Sequence, residues 1–182
     1  MPAAAAFRRI AVAATATAAL AAAAAAAPAN AEAACANANA NPNDIRLAAA
    51  KHATLCLLNQ ERRSRGLKPL RDNGRLNLAS QRHARDMARR NYFAHGDFVG
   101  RIRKANYLAG ARGWTVGENI AWGSWDLATP SKIVDAWMNS SGHRANILNR
   151  RFREIGLGVA RGAPVGGQEN GGTYVTDFGA RF

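Results

Sequence analysis

The sequence lacks the short motifs that mark several common enzyme classes. It contains no G-x-S-x-G elbow, so Ser140 and Ser141, beside His143, are interpreted as polar residues at a helix end rather than as a nucleophile. It also contains no H-E-x-x-H pair and no phosphate-binding loop. A Gly-Leu-Gly run near the C-terminus is followed by Arg161 where a dinucleotide fingerprint needs glycine. The familiar hydrolase elbow, helical zinc-protease motif and nucleotide-binding loops are therefore excluded.

Acidic residues are scarce. The 182 residues include 12 Asp or Glu and 25 Lys or Arg, which gives a formal net charge of +13. Such a chain adsorbs to anionic surfaces such as lipid headgroups or wall polymers, although a solvated charged surface explains the same composition. Aromatic residues make up 7% and do not interleave with the basic residues, as a single-strand stacking platform requires. We therefore expect lipid, cell-wall polymer or another anionic envelope surface as partner, and no specific nucleic acid.

Leucine and isoleucine are rare in the apolar stretch near the N-terminus. Arg8 and Arg9 precede it, and alanine dominates residues 10–27. Alanine contributes little membrane-insertion energy, which favours a cleaved leader over a membrane anchor. An A-x-A pattern at residues 29–31 is typical of cleavage, so residues 1–31 are assigned to a secretory signal peptide. We expect a secreted, extracellular monomer with no transmembrane segment after removal of the signal.

The remaining chain is divided into a short tail and one domain. Residues 32–43 are low in complexity and are predicted to be disordered. Residues 44–182 have a length typical of a single domain with one core. A disulfide between Cys35 and Cys56 would close a loop of about 20 residues and stabilise the fold by roughly 3 kcal/mol. The alternative is two free thiols, with Cys56 as a small core residue.

Hydrophobic periodicity separates a helical first part from a strand-rich last part. Alternation predicts strands around residues 114–122, 155–159 and 174–178, the last two as an antiparallel pair. Helices before strands indicate the α+β class. His52 and His83 fall on apolar helix faces and are interpreted as structural. The predicted helices cover residues 45–64, 75–91, 98–107 and 130–142.

Three side chains are not explained as scaffold: His95, Glu118 and His143. Glu118 follows glycine inside an otherwise apolar strand, and a buried carboxylate needs a partner or a water-filled cleft. Each histidine lies beside a glycine, where the backbone can turn and the ring can reach a cleft. Two imidazoles and a carboxylate have the composition of an open zinc site, with His95 and His143 as ligands. The same groups suit acid–base catalysis, or a polar cluster that only ties sheet to helices.

The sequence also contains a series of motifs that occur together in one protein family. The bacterial branch of the CAP superfamily, which includes cysteine-rich secretory proteins, antigen 5 and plant pathogenesis-related proteins, resembles this chain over nearly all of the mature domain. The motifs that carry the resemblance are LNQERR at 58–63, GLKPL at 66–70, FAHGD at 93–97, GENI at 117–120, WMNSSGHRANIL at 137–148 and IGLGVA at 155–160.

The resemblance implies a three-layer α-β-α sandwich, with a small antiparallel sheet between helical layers. It also implies a cleft where two histidines and acidic residues meet, which in some members holds a divalent metal such as zinc. His95, Glu118 and His143 match three of the four cleft positions. The fourth, a second glutamate, has no clear counterpart, because Asn139 and Ser140 stand there.

The resemblance leaves the activity open between two hypotheses. Lipid binding, proteolysis and partner signalling have been proposed for different family members. Our first hypothesis is a ligand-binding module for lipid or wall polymer that acts at or outside the cell envelope. The alternative is a metal-assisted, peptidase-like hydrolase that uses His95, Glu118 and His143. The sequence therefore does not decide whether the protein is an enzyme.

Overall fold

The computed structural model describes residues 35–182. Within this range the helices and strands alternate only partly, and helices dominate the first half. In chain order the elements are α1 (Leu47–Arg63), β1 (Arg71–Asp72), α2 (Gly74–Arg90), α3 (Phe98–Lys104), β2 (Trp114–Ser124), a short 3₁₀-helix (Trp125–Ala128), α4 (Pro130–Asn139), α5 (Ser141–Ile147), β3 (Glu154–Arg161) and β4 (Gly171–Arg181).

The four strands form one sheet in the order β1-β3-β4-β2. β4 pairs antiparallel with both of its neighbours, which confirms the predicted antiparallel pair of late strands. The two-residue β1 joins β3 in parallel. Sequence patterning missed β1, because two residues are too few to show a period. β2 is the terminal strand of the described sheet, so its outer edge faces helices rather than another strand.

Helices cover both faces of the sheet, which confirms the predicted α+β sandwich of three layers. One face of β3 and β4, including Ile155, Leu157 and Phe178, packs into a core with α1, α4 and α5. The opposite face packs against α2 and α3 through smaller clusters that include Leu76 and Val175. Alternating strand residues therefore divide between two separate cores.

Two glycines set the distance between α2 and the sheet. A Cβ atom at Gly156 would lie less than 3.0 Å from backbone atoms of Leu76, and one at Gly158 equally close to backbone atoms of Ser80. No side chain fits there, so the α2 backbone lies directly on β3. This close approach brings Ser80 to the middle of the sheet.

The structure corrects two helix boundaries. The predicted helix to Gly142 is wrong, because Ser140 is extended (φ −101°, ψ 124°) and separates α4 from α5. His143 therefore lies in the first turn of a new helix. The third helix ends at Lys104 rather than near residue 107, since Asn106 adopts a left-handed conformation (φ 60°).

The two histidines predicted to be structural have different environments. His83 is 3% exposed and its Nε2 lies 2.9 Å from the carbonyl oxygen of Ala94, which confirms a structural role. The prediction for His52 is wrong, because this residue is exposed on α1. Its neighbour Ala53 is buried, and adjacent residues on a helix are about 100° apart around the axis, so His52 lies outside the buried stripe.

The N-terminal tail is attached to the domain where it can be described; the predicted signal peptide, residues 1–31, lies outside the described residues. Residues 35–43 form turns, so the predicted disorder is wrong for this part. The Asn41 side chain donates to the Trp125 carbonyl at 2.6 Å, and Asn43 donates to Gly171 at 3.0 Å. These asparagine amides give a low-complexity segment specific partners that its composition did not reveal.

The predicted disulfide between Cys35 and Cys56 is confirmed, with a sequence separation of 21 residues. It ties the tail to α1. We expect the double variant Cys35→Ser/Cys56→Ser to lose about 3 kcal/mol of unfolding free energy, because the unfolded chain regains loop entropy. Denaturant unfolding measures this loss. Reducing agent should destabilise the parent protein and leave the double variant unchanged, and an insensitive parent would contradict the expectation.

Candidate functional site

The candidate site is built around Glu118, near the middle of the terminal strand β2. Its neighbours on the same face, Val116 and Ile120, pack against α2 and α3. The Glu118 side chain is only 1% exposed. Burial raises the pKa of Glu118, while the nearby Arg101 opposes this shift. A carboxylate in such a position is stable only with close partners.

Both carboxylate oxygens of Glu118 have such partners. Oε1 lies 2.7 Å from Nδ1 of His95, and Oε2 accepts a hydrogen bond of 2.5 Å from the Arg101 guanidinium. Arg101 comes from α3, whose N-terminus is capped by Asp97, because its side chain accepts from the Gly100 backbone at 2.8 Å. The cap fixes the start of α3 and so directs Arg101 toward the strand.

His95 lies in the loop between α2 and α3 and is held by its contact with Glu118. Gly96 adopts a left-handed conformation (φ 55°), which turns the chain directly after the ring. Burial, followed by the charge of Arg101, lowers the pKa of His95, which favours the neutral ring. An ionised Glu118 then requires the proton on Nδ1, which leaves Nε2 as a free acceptor. The His95 side chain is 49% exposed, so it meets both the carboxylate and solvent.

His143 reaches the same region from the opposite helical layer. Its backbone oxygen accepts a 3.0 Å hydrogen bond from Asn119, and Asn146 donates to the Asn119 side chain at 2.9 Å. These amides attach α5 to the edge of β2. Burial lowers the pKa of His143, and repulsion from a protonated His95 would lower it further. Within the described residues His143 makes no direct hydrogen bond to Glu118.

Two residues of the site were missed at the sequence level. Asp177 on β4 is paired in register with Glu118 and is fully buried. The signal that identified Glu118, an acid inside a buried strand, also marks Asp177 and could have found it. Arg101 had no comparable signal, since it is one of many arginines on short helices.

The residues present do not fit the predicted metal site. Both oxygens of the Glu118 carboxylate, which a metal ion would need as ligands, are already bonded, one to His95 and the other to the Arg101 guanidinium. Across residues 35–182, no group of three or more His, Cys, Asp or Glu side chains is arranged to hold a metal ion. Arg101 supplies the positive charge that Glu118 requires.

Among the helices of residues 35–182, none is long and apolar enough to cross a bilayer.

Comparison with known proteins places this fold and site in context. The chain is 40% identical over 114 residues to the uncharacterized protein YkwD of Bacillus subtilis (strain 168), a match that covers 62% of this chain and 43% of YkwD. An extracellular protein containing an SCP domain from Bacillus anthracis strain Ames has a similar structure. It gives a TM-score of 0.54 at 27% identity, over 69% of this chain and 38% of that one.

A further structure shares the fold. A cysteine-rich secretory protein from Staphylococcus aureus has a TM-score of 0.57 at 23% identity, over 76% of this chain and 38% of that one. The chain therefore spans less than half the length of these relatives. The profile of the cysteine-rich secretory protein family, CAP, matches residues 55–177, which includes His95, Glu118 and His143. Because this match covers most of the chain, the protein belongs to the cysteine-rich secretory protein (CAP) family.

Proposed function

We propose that the protein is a secreted binding module that acts at or outside the cell envelope. It holds a polar or anionic group of a lipid or wall polymer in the cleft formed by His95, Glu118 and His143, without turnover. The observation that carries this proposal is the state of Glu118. Its side chain is buried and both oxygens are already bonded, so it does not reach water as a general base. Its role in the cleft is to hold His95.

The exposed groups of the cleft suit such a ligand. His95 and His143 offer ring nitrogens, and Arg101 is 21% exposed beside them. Phe93, two residues before His95, is 43% exposed and adds an apolar surface. A hydroxyl or amide group would donate to His95 Nε2, an anionic group would be attracted by Arg101, and an adjoining apolar chain would contact Phe93.

The proposed location has support from chemistry and from a relative. The Cys35–Cys56 disulfide is stable in oxidising compartments outside the cytosol. The similar Bacillus anthracis protein is described as extracellular. Residues 1–31 have the pattern of a signal peptide, which would direct the chain to such a compartment.

The test compares two histidine variants. We expect His95→Gln to weaken binding to anionic lipid vesicles or to purified cell wall by about tenfold, which corresponds to about 1.4 kcal/mol. His52→Gln is the matched control. His52 is exposed on α1, so this substitution makes the same chemical change away from the cleft. Equal binding by both variants would show adsorption by net charge alone and would overturn the proposal.

A second candidate is a hydrolase in which His95 acts as general base. The supporting observation is the 2.7 Å contact between His95 Nδ1 and Glu118, since a carboxylate that orients an imidazole leaves Nε2 free to accept a proton from water. Turnover of peptide or ester substrates that falls about 100-fold in Glu118→Gln, with folding intact, would favour this candidate. Insensitivity of that turnover to chelators would separate it from the metal-assisted mechanism.

A further inference from the structure

Asp177 and Glu118 form a buried pair of carboxyl groups. They are register partners on the antiparallel strands β4 and β2, so their side chains lie side by side on the face toward α2. Asp177 is 0% exposed, and burial together with the charge of Glu118 raises its pKa, which indicates that the two carboxyl groups are close. Two ionised carboxylates that lie side by side in a buried environment would repel each other strongly.

Among residues 35–182, the groups around Asp177 supply a single fixed cation for the two acids. Arg101 from α3 is that cation, and it is bonded to Glu118. His95, from the loop that precedes α3, contacts Glu118 through Nδ1, and burial lowers its pKa and so favours the neutral ring. On α2, burial and then the charge of Arg101 lower the pKa of His83 to about 4, so this ring is neutral too. β3 places Gly156 at the register position beside Asp177 and contributes no charge.

Too few hydrogen-bond donors surround the carboxyl group of Asp177. Ser80 Oγ lies 2.7 Å from Asp177 Oδ2 and 3.0 Å from the carbonyl oxygen of Leu76, yet a hydroxyl has a single proton. The Ser80 oxygen also accepts from the Asp177 backbone N–H at 3.2 Å. Oδ1 of Asp177 is buried and accepts no hydrogen bond from the described residues. An ionised Asp177 would therefore be a buried charge with at most one shared donor.

We propose that Asp177 is held as the neutral carboxylic acid and acts as a positioning residue, bridging to Glu118 so that Glu118 stays the carboxylate that orients His95. One acid proton supplies the missing donor and removes the second negative charge. Burial, with the charge of Glu118 adding to it, raises the pKa of Asp177 above its ordinary value. The positioning role rests on the proposed function of the cleft, whereas the protonation state does not.

The first test is spectroscopic and needs no ligand. The carboxyl ¹³C resonance of Asp177, assigned by its loss in Asp177→Asn, should have the chemical shift of a protonated acid at pH 6. A free aspartate is ionised at that pH. A carboxylate chemical shift at pH 6 would overturn the proposal.

The second test uses stability against pH. The ordinary pKa of Asp177 is 3.8 and folding raises it, so between these two values the folded protein keeps a proton that the unfolded chain has released. Stability therefore falls as pH rises through this window. Asp177→Asn, which cannot titrate, should show a shallower fall. An unchanged slope in the variant would contradict the assignment.

The third test addresses positioning. The asparagine amide mimics a protonated acid, since it donates through Nδ2 and accepts through Oδ1. We expect Asp177→Asn to bind anionic lipid vesicles or cell wall within about threefold of the parent at pH 6, and Asp177→Ala to bind about tenfold more weakly; circular dichroism establishes that both are folded. Failure of the asparagine variant to rescue binding would overturn the positioning role. Absence of binding in the parent, with a protonated Asp177, would refute the proposed function and leave the protonation state standing.

Discussion

Gly158→Ala is expected to lower the unfolding free energy by about 3 kcal/mol, at the upper end of the usual cost of overpacking. The added methyl group would lie less than 3.0 Å from backbone atoms of Ser80. A flexible side chain could move aside at small cost, whereas α2 must shift as a whole. Chemical denaturation of the purified variant measures the loss.

The same substitution at Gly142 is the matched control. Gly142 lies in the first turn of α5, and a Cβ atom there would meet no atom within 4 Å apart from its chain neighbours and the backbone of its own helix. Gly142→Ala should be neutral or stabilise by about 0.5 kcal/mol, because alanine loses less backbone entropy in a helix. If the unfolding free energy falls in Gly158→Ala and is unchanged or rises in Gly142→Ala, contact with α2 rather than loss of glycine itself causes the destabilisation. Equal stabilities would contradict this account of the close helix–sheet packing.

Arg62→Met is expected to cost about 3–5 kcal/mol, the range seen when the partner of a buried charged network is removed. Arg62 is 1% exposed and, within the described residues, has no carboxylate partner. Its guanidinium donates instead to main-chain oxygens, including Lys68 at 2.9 Å, Ile147 at 2.6 Å and Asn149 at 3.1 Å. Methionine fills a similar volume but leaves these buried carbonyl groups without a donor.

Arg63→Met is the neighbouring control. Arg63 is exposed at the end of α1, so its replacement should change stability by no more than about 0.5 kcal/mol. Arg62→Lys should recover only part of the loss, because one ammonium group cannot reach oxygens that a planar fork spans. Thermal and denaturant unfolding of all three variants gives the comparison. Equal stability of Arg62→Met and Arg63→Met would refute the role given to the buried guanidinium.

Sequence patterning predicted the layers of this fold well, since they depend on long periodic runs. Alternation in β3 and β4 identified two antiparallel strands and their buried faces, and helical spacing placed α2 within one residue of its observed bounds. Features decided by single residues were missed. Ser140 ends α4 by adopting an extended conformation, and no local pattern indicates that a new helix starts at Ser141.

The site was predictable to the extent that burial made its residues unusual. Glu118 stood out because a carboxylate inside an apolar strand demands partners, and the structure places His95 in hydrogen-bonding contact with it. Arg101 could not be predicted, because its contact depends on the rotation of α3 after the cap at Asp97. The expectation of a metal came from the family resemblance. It did not anticipate the Arg101 guanidinium, which bonds to Glu118 where a metal ion would have to bind.

The covering of the terminal strand β2 also limits how this protein can associate. On its outer side the Glu118 carbonyl accepts from the Asn146 amide at 3.2 Å, and the Ile120 carbonyl accepts from the Trp137 indole at 3.1 Å. These side chains occupy the main-chain acceptors that an incoming strand would need. Edge-to-edge polymerisation and recognition of extended peptides by strand addition are thereby blocked at the centre of β2. Partners must contact side chains, and the centre of this edge is protected from aggregation.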